Sequence, residues 1–199
     1  LQKAVDLGAI DAFNLGAEDF PEDLEILILG THLSVYGKIL SGLRPFLSER
    51  TIVSDVGSAQ SATAREIDRY LPDGVPFVGA HPMAGGERGG VEEAREDLFE
   101  GAVCALCPTG RTAPGAHERV KELWEAVGAR TVTLDPERHD LLVAWTSHLP
   151  HIASAAVARC VREFAESDSD AVDFLGTGFR DATRIAAGDP DMWRDICLT

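Results

Sequence analysis

Apolar residues along this chain follow two regimes, which change over near Asp135. Before it, short apolar runs recur: EILILGT at 25–31, TIVSDV at 51–56, PFVGAH at 76–81, AVCALC at 102–107 and RTVTLD at 130–135. Their length and flanking breakers predict strands. Between them, segments such as SATAREIDRYL and GAHERVKELWEAVG space their apolar residues as one helix face does. Strands alternating with helices predict an α/β layered sheet, largely parallel. The early runs are apolar on both faces, as a sheet covered on both sides requires.

After Asp135 the period lengthens. Asp135 reads as an N-cap, Pro136 as the first helical residue, and Leu142, Trp145, Leu149, Ile152, Ala156, Cys160 and Phe164 recur at helical spacing. They predict a helix of about eight turns, bent near Thr146 because Pro150 lacks the backbone donor that Thr146 would use. No strand pattern follows. The chain therefore divides into a sheet domain at 1–135 and a helical domain at 136–199, with GRTAPGAHE a connector inside the first.

Composition narrows the class. The chain has 199 residues, 45% of them hydrophobic, enough for a full core. Its formal charge of −15, from 33 acidic and 18 basic residues, repels nucleic acid and anionic lipid, so neither is expected as a partner. No stretch approaches a run of ~20 apolar residues, and LQKAVDLGAI has neither the basic flank nor the long apolar centre of a signal peptide. A soluble, cytoplasmic protein is expected. The single CxxC, Cys104 to Cys107, lies in a strand pattern that turns positions three apart to opposite faces, which argues against zinc or redox chemistry there.

Candidate chemistry gathers at strand ends. In open α/β sheets ligands sit beyond the carboxyl ends of the strands, and three successive strands here end on Thr31, Ser58 and His81. Pro82 drives His81 to extended geometry, and Gly85 and Gly86 let the backbone approach a ligand. An imidazole of ordinary pKa, ~6.5, suits a general base at neutral pH. The alternative is that His81 merely ends a strand and Ser58 merely caps the next helix. On the long helix, Ser147, His148 and His151 share one face. A metal site would need a third ligand, and His139, about two and a half turns before His148, is poorly spaced for it; no metal is expected.

Four motifs in order resemble the prephenate and arogenate dehydrogenases of tyrosine biosynthesis: DVGSAQSA, GAHPMAGGERGGV, TSHLPHI and GTGFRDATRIAAGDPDMWRDI. The likeness spans essentially all 199 residues. It implies a Rossmann-like dinucleotide-binding domain joined to a helical domain that binds substrate and forms a homodimer. It also implies oxidative decarboxylation of prephenate or arogenate with hydride transfer to NAD or NADP. By resemblance His81 is the proton acceptor, and Ser58 orients it and touches the same hydroxyl. Thr31, Gly57 and Ser58 meet the cofactor; His151, Ser147, His148, Arg184, Glu87 and Trp193 meet the substrate. Arg184 gains weight from chemistry, since a guanidinium fork clasps a carboxylate in a way lysine cannot copy; the alternative is a surface pair with Asp181 or Asp189.

Departures from the family pattern are Gly86 for Thr or Ser, Arg180 for Lys, and His32 for Pro. No GxGxxG turn is present, and LQKAVDLGAI resembles the helix and strand that follow a second Rossmann strand. The resemblance thus implies a missing N-terminal βαβ part and a truncated helical domain, and these residues alone are expected not to hold a nicotinamide cofactor tightly. Two rival classes share parts of this pattern. A different NAD(P)-dependent hydroxyacid dehydrogenase should carry a catalytic lysine in its helical part, where this chain has none, Lys121 lying before it; a non-catalytic binding remnant would differ only in turnover.

Overall fold

A computed structural model describes residues 1–16, 20–21, 23–86 and 89–198. Five strands form one sheet in the order β1 (Ile26–Leu29), β2 (Ile52–Asp55), β3 (Phe77–Pro82), β4 (Val103–Pro108) and β5 (Arg130–Thr133). Each of the five runs read from the sequence holds one of them. Three of the four pairings are parallel; β3 and β4 pair antiparallel, with His81 opposite Ala105. At the N-terminus only a helix forms, α1 (Gln2–Asp6), and no strand follows it among residues 7–16.

Strand alternation sends successive side chains to opposite faces, and a separate core lies on each. On one face Leu29, Val53 and Phe77 pack with Tyr36 and Leu40 of α2 (Tyr36–Leu43) and Ile67 of α3 (Gln60–Tyr70). On the other, Val78, Ala80, Cys104 and Leu106 pack with Val120 and Trp124 of α4 (Pro114–Ala126). Cys104 belongs to this second core and Cys107 does not; both are buried free thiols, their pKa values raised chiefly by burial.

The helical part begins where its cap signal stands. The Asp135 carboxylate accepts from the N–H groups of Glu137 and Arg138, and Pro136 opens α5 (Pro136–Val143). The expected bend is a π-helical turn, Ala144–His148, ahead of α6 (Leu149–Ser167). Pro150 removes one i→i−4 bond and crowds the carbonyl of Thr146, and a wider turn relieves both. The expectation that no segment is apolar enough for a membrane needs correction. By length and composition alone the continuous helix 136–167 is, and only 17% of its apolar window is buried. The interruptions at Ser147, His148 and Pro150 hide that apolarity from a search for unbroken runs. Two short helices follow, α7 (Thr177–Thr183) and α8 (Pro190–Leu198). The latter is tied to the loop after β1 by Ser34 Oγ donating to Asp195 at 2.5 Å.

Candidate active site

The strand ends and the helical part enclose two cavities. One, of about 270 Å³, is lined by Gly30 and Thr31 after β1, by Gly57 and Ser58 after β2, and by Met192 and Asp195 of α8. The other, of about 390 Å³, is lined by Gly85, Gly86, Ser147, His151, Arg184 and Trp193, again with Met192. The three residues read as meeting a cofactor thus share the first, and four of the six read as meeting substrate share the second. His148 lines neither, packing edge-on to Trp193 with ring centroids 5.9 Å apart. Glu87 falls outside the described residues.

Geometry around Trp193 explains one glycine. Its indole stacks on His151 at 3.5 Å and 9°. A Cβ on Gly188 would stand 2.7 Å from Trp193 Nε1 and 3.4 Å from the His151 ring, so a larger residue would prise the stack apart. The His151 pKa is lowered, chiefly by burial, which keeps the ring neutral against the indole.

His81 is buried at the end of β3 and is held from an unexpected side. Its Nδ1 lies 2.9 Å from His139 Nε2, and His139 Nδ1 lies 2.8 Å from Asp140 Oδ1. Ser58, expected to orient His81, makes no hydrogen bond to it; His139 fills that place. Asp140 also accepts from the backbone N–H groups of Gln60 at 2.8 Å and Ser61 at 2.9 Å, the first turn of α3. Anions are favoured at a helix N-terminus. Burial pushes the Asp140 pKa up, but the hydrogen bonds from His139, Ser61 and Gln60 win and bring it to about 2.

That carboxylate dictates the protons. With no proton of its own, Asp140 can only accept, so His139 carries its proton on Nδ1. Whenever each ring carries a single proton, His139 Nε2 is an acceptor and His81 Nδ1 donates to it. His81 Nε2 is left with a free lone pair. Burial, helped by His139 and His148 and opposed by Asp140, lowers the His81 pKa to about 3. The resting ring is a neutral acceptor at physiological pH.

The same shift predicts how stability follows pH. His81 takes up its proton near pH 6.5 when unfolded but near 3 when folded, so its contribution is present above 6.5 and lost as pH falls toward 3. Asp140, lowered from 3.8 to about 2, extends the loss below pH 4. Asp55, raised from 3.8 to about 6, works the other way, its contribution present at low pH and lost as pH rises through 6. Urea unfolding of a His81→Asn variant should therefore show a flatter decline between pH 6.5 and 4 than the parent. A slope equal to the parent's would mean that His81 does not titrate there.

Sequence reading missed Asp140, and weighed His139 only as a metal ligand. Adjacency on α5 was visible, but its docking on the α3 N-terminus was not. Among the described residues, no three His, Cys, Asp or Glu side chains are placed to hold a metal ion. The first cavity suits a nicotinamide: it lies at strand carboxyl ends, and open space where a Cβ on Gly30 would stand leaves backbone free to approach a ring.

Known proteins resemble this chain along its whole length. Residues 1–133 match the family model described as prephenate dehydrogenase, nucleotide-binding domain, and residues 135–199 the one described as prephenate dehydrogenase, dimerization domain. The prephenate dehydrogenase of Bacillus subtilis is 38% identical over 152 residues, 76% of this chain and 41% of that protein. The cyclohexadienyl dehydrogenase of Zymomonas mobilis is 29% identical over 194 residues, 94% and 66% respectively. The chain thus spans less than two thirds of either relative. Among solved structures, prephenate dehydrogenase from A. aeolicus in complex with hydroxyphenyl propionate and NAD+ superposes with a TM-score of 0.89 at 36% identity, covering 99% of this chain and 68% of that one.

Proposed function

The chain belongs to the prephenate dehydrogenase family, and from that premise we propose that the protein oxidatively decarboxylates prephenate or arogenate with NAD or NADP. The observation that carries the reading is the Asp140–His139–His81 series, which leaves a lone pair on a rigid strand end where strand ends and helical part meet.

Thr31, Gly57 and Ser58 would hold a nicotinamide, which would supply the hydride acceptor. The chain's own groups do the rest. As hydride leaves the ring carbon that bears the hydroxyl, His81 Nε2 takes the hydroxyl proton, and the new imidazolium is stabilised by Asp140 through His139. The bond to the ring carboxylate then breaks, its electron pair makes the ring aromatic as carbon dioxide leaves, and the proton on His81 returns to the ring oxygen. Arg184 clasps a substrate carboxylate beside Ser147 and the His151–Trp193 stack, and His148 backs that stack by packing edge-on to Trp193.

The domain division at residue 135 is part of this proposal, with residues 136–199 serving substrate binding and dimerisation. Trp145, Leu149, Ile152 and Phe164 leave an apolar face exposed on the helix through 136–167, and a second copy of the chain would cover it. A cytoplasmic enzyme without nucleic-acid or membrane partners fits the charge of −15. The hydroxyacid-dehydrogenase alternative lacks its catalytic lysine, because Lys121 sits on α4.

Two measurements test the reading. Absorbance of reduced nicotinamide, followed in the intact enzyme with each substrate and each cofactor, should rise with at least one pair; no rise with any of the four overturns the assignment. Arg184→Ala should raise KM by ~10²-fold, and Arg184→Lys should not restore it. Unchanged KM with lowered kcat would remove Arg184 from ground-state binding.

A further inference from the structure

Backbone pairing between β2 and β3 is confined to Val53 with Phe77 and Ser54 with Val78. Beyond that point the two strands carry different parts of the site: β2 runs into Gly57 and Ser58, and β3 into His81. Ala80, immediately before His81, is fully buried, so its polar groups need partners. Side chains supply them. Asp55 Oδ1 accepts from Ala80 N at 2.9 Å, and Gln60 Nε2 donates to Ala80 O at 3.0 Å.

The same two side chains hold the other branch. Asp55 Oδ2 accepts from Gly57 N at 2.9 Å, Gln60 Nε2 donates to Gly57 O at 2.9 Å, and the carboxamide donates to Asp55 Oδ2 at 3.1 Å. Since every neighbour of Nε2 is an acceptor, chemistry fixes which end of the amide is nitrogen. Gln60 also starts α3, whose first N–H groups hold Asp140. Gly79 makes room: a Cβ there would overlap the Gln60 carboxamide oxygen and stand 2.9 Å from the Cys107 carbonyl oxygen.

We propose that Asp55 and Gln60 are positioning residues for the reaction at His81, a side-chain bridge that replaces the missing strand ladder and fixes the separation between the Gly57–Ser58 turn and the strand end bearing the base. The inference rests on reading His81 as the base. Neither residue lines the Arg184 cavity, so the bridge governs alignment of the reacting atoms and leaves carboxylate binding alone. A displacement of about 1 Å at such a site costs on the order of 10²-fold in rate.

Three variants of the intact enzyme test this: Asp55→Asn, which turns one N–H acceptor into a donor; Gln60→Met, which keeps volume and removes the amide; and Gly79→Ala, which evicts it. Each should lower kcat by ~10- to 10²-fold with substrate KM within a few-fold, and Gln60→Met with Gly79→Ala together should be no worse than the more severe single change. In the resting protein, 15N spectra of the His81 imidazole should shift in Gln60→Met. Parental kcat in folded Gln60→Met, or an unmoved His81 resonance, overturns the bridge. Should Asp55→Asn fail to fold, Gln60→Met decides alone. Should the parent turn over no substrate, the functional reading falls while the imidazole spectrum still judges the bridge.

Discussion

Replacing His81 by asparagine is expected to lower kcat by about 10²–10⁴-fold, the usual share of general acid–base catalysis, while substrate KM stays within a few-fold. The split follows from placement. His81 sits at the tip of β3 and lines neither cavity, whereas Arg184, Ser147 and His151 line the one read as holding substrate. Asparagine keeps a polar group able to bond His139 but offers no site that takes a proton. Initial rates over a substrate series in both proteins measure the effect. Undiminished kcat would remove His81 from the chemistry, and an equal rise in KM would make it a binding group.

How much of this was legible in the chain depends on the range of the interaction. The five strands followed from local alternation, and the helix start at Asp135 from a cap whose bonds reach Glu137 and Arg138, two and three residues on. That Thr31 and Ser58 share one cavity was legible because parallel strands deliver their carboxyl ends to one edge, whereas His81, at the tip of β3, lines neither cavity. The antiparallel turn of β4 left no periodic trace, since both directions alternate alike. Pro150 announced a defect in the helix but not its form; whether a helix kinks or widens depends on what it packs against. The support of His81 was least legible. His81 and His139 are 58 residues apart, Asp140 and Gln60 80 apart, and α5 meets α3 only once the sheet has placed both. Asp55 and Gln60 were in plain view within DVGSAQSA, yet their task is defined by a gap between strands that no single strand contains.

A change at Asp140 should test the proton arrangement more sharply than loss of the base itself. The carboxylate accepts three times: from His139 Nδ1 and Gln60 N at Oδ1, and from Ser61 N at Oδ2. Asparagine of the same shape must present its NH₂ on one side. If it faces Ser61, two donors collide at the start of α3 and the helix end loses a partner. If it faces His139, it also meets the Gln60 N–H, so α3 again loses a partner, and the ring must accept at Nδ1 and carry its proton on Nε2, which obliges His81 to accept at Nδ1 and hold its own proton on Nε2. The lone pair meant for the substrate hydroxyl is then occupied. Asp140→Asn is therefore expected to lower kcat by about 10²–10⁴-fold with KM little changed. 15N spectra of the imidazoles should show His81 protonated on Nδ1 in the parent and on Nε2 in the variant. Loss of kcat with His81 still protonated on Nδ1 would assign Asp140 to holding α3 rather than to setting the tautomer, and a parent already protonated on Nε2 would break the series at its first link.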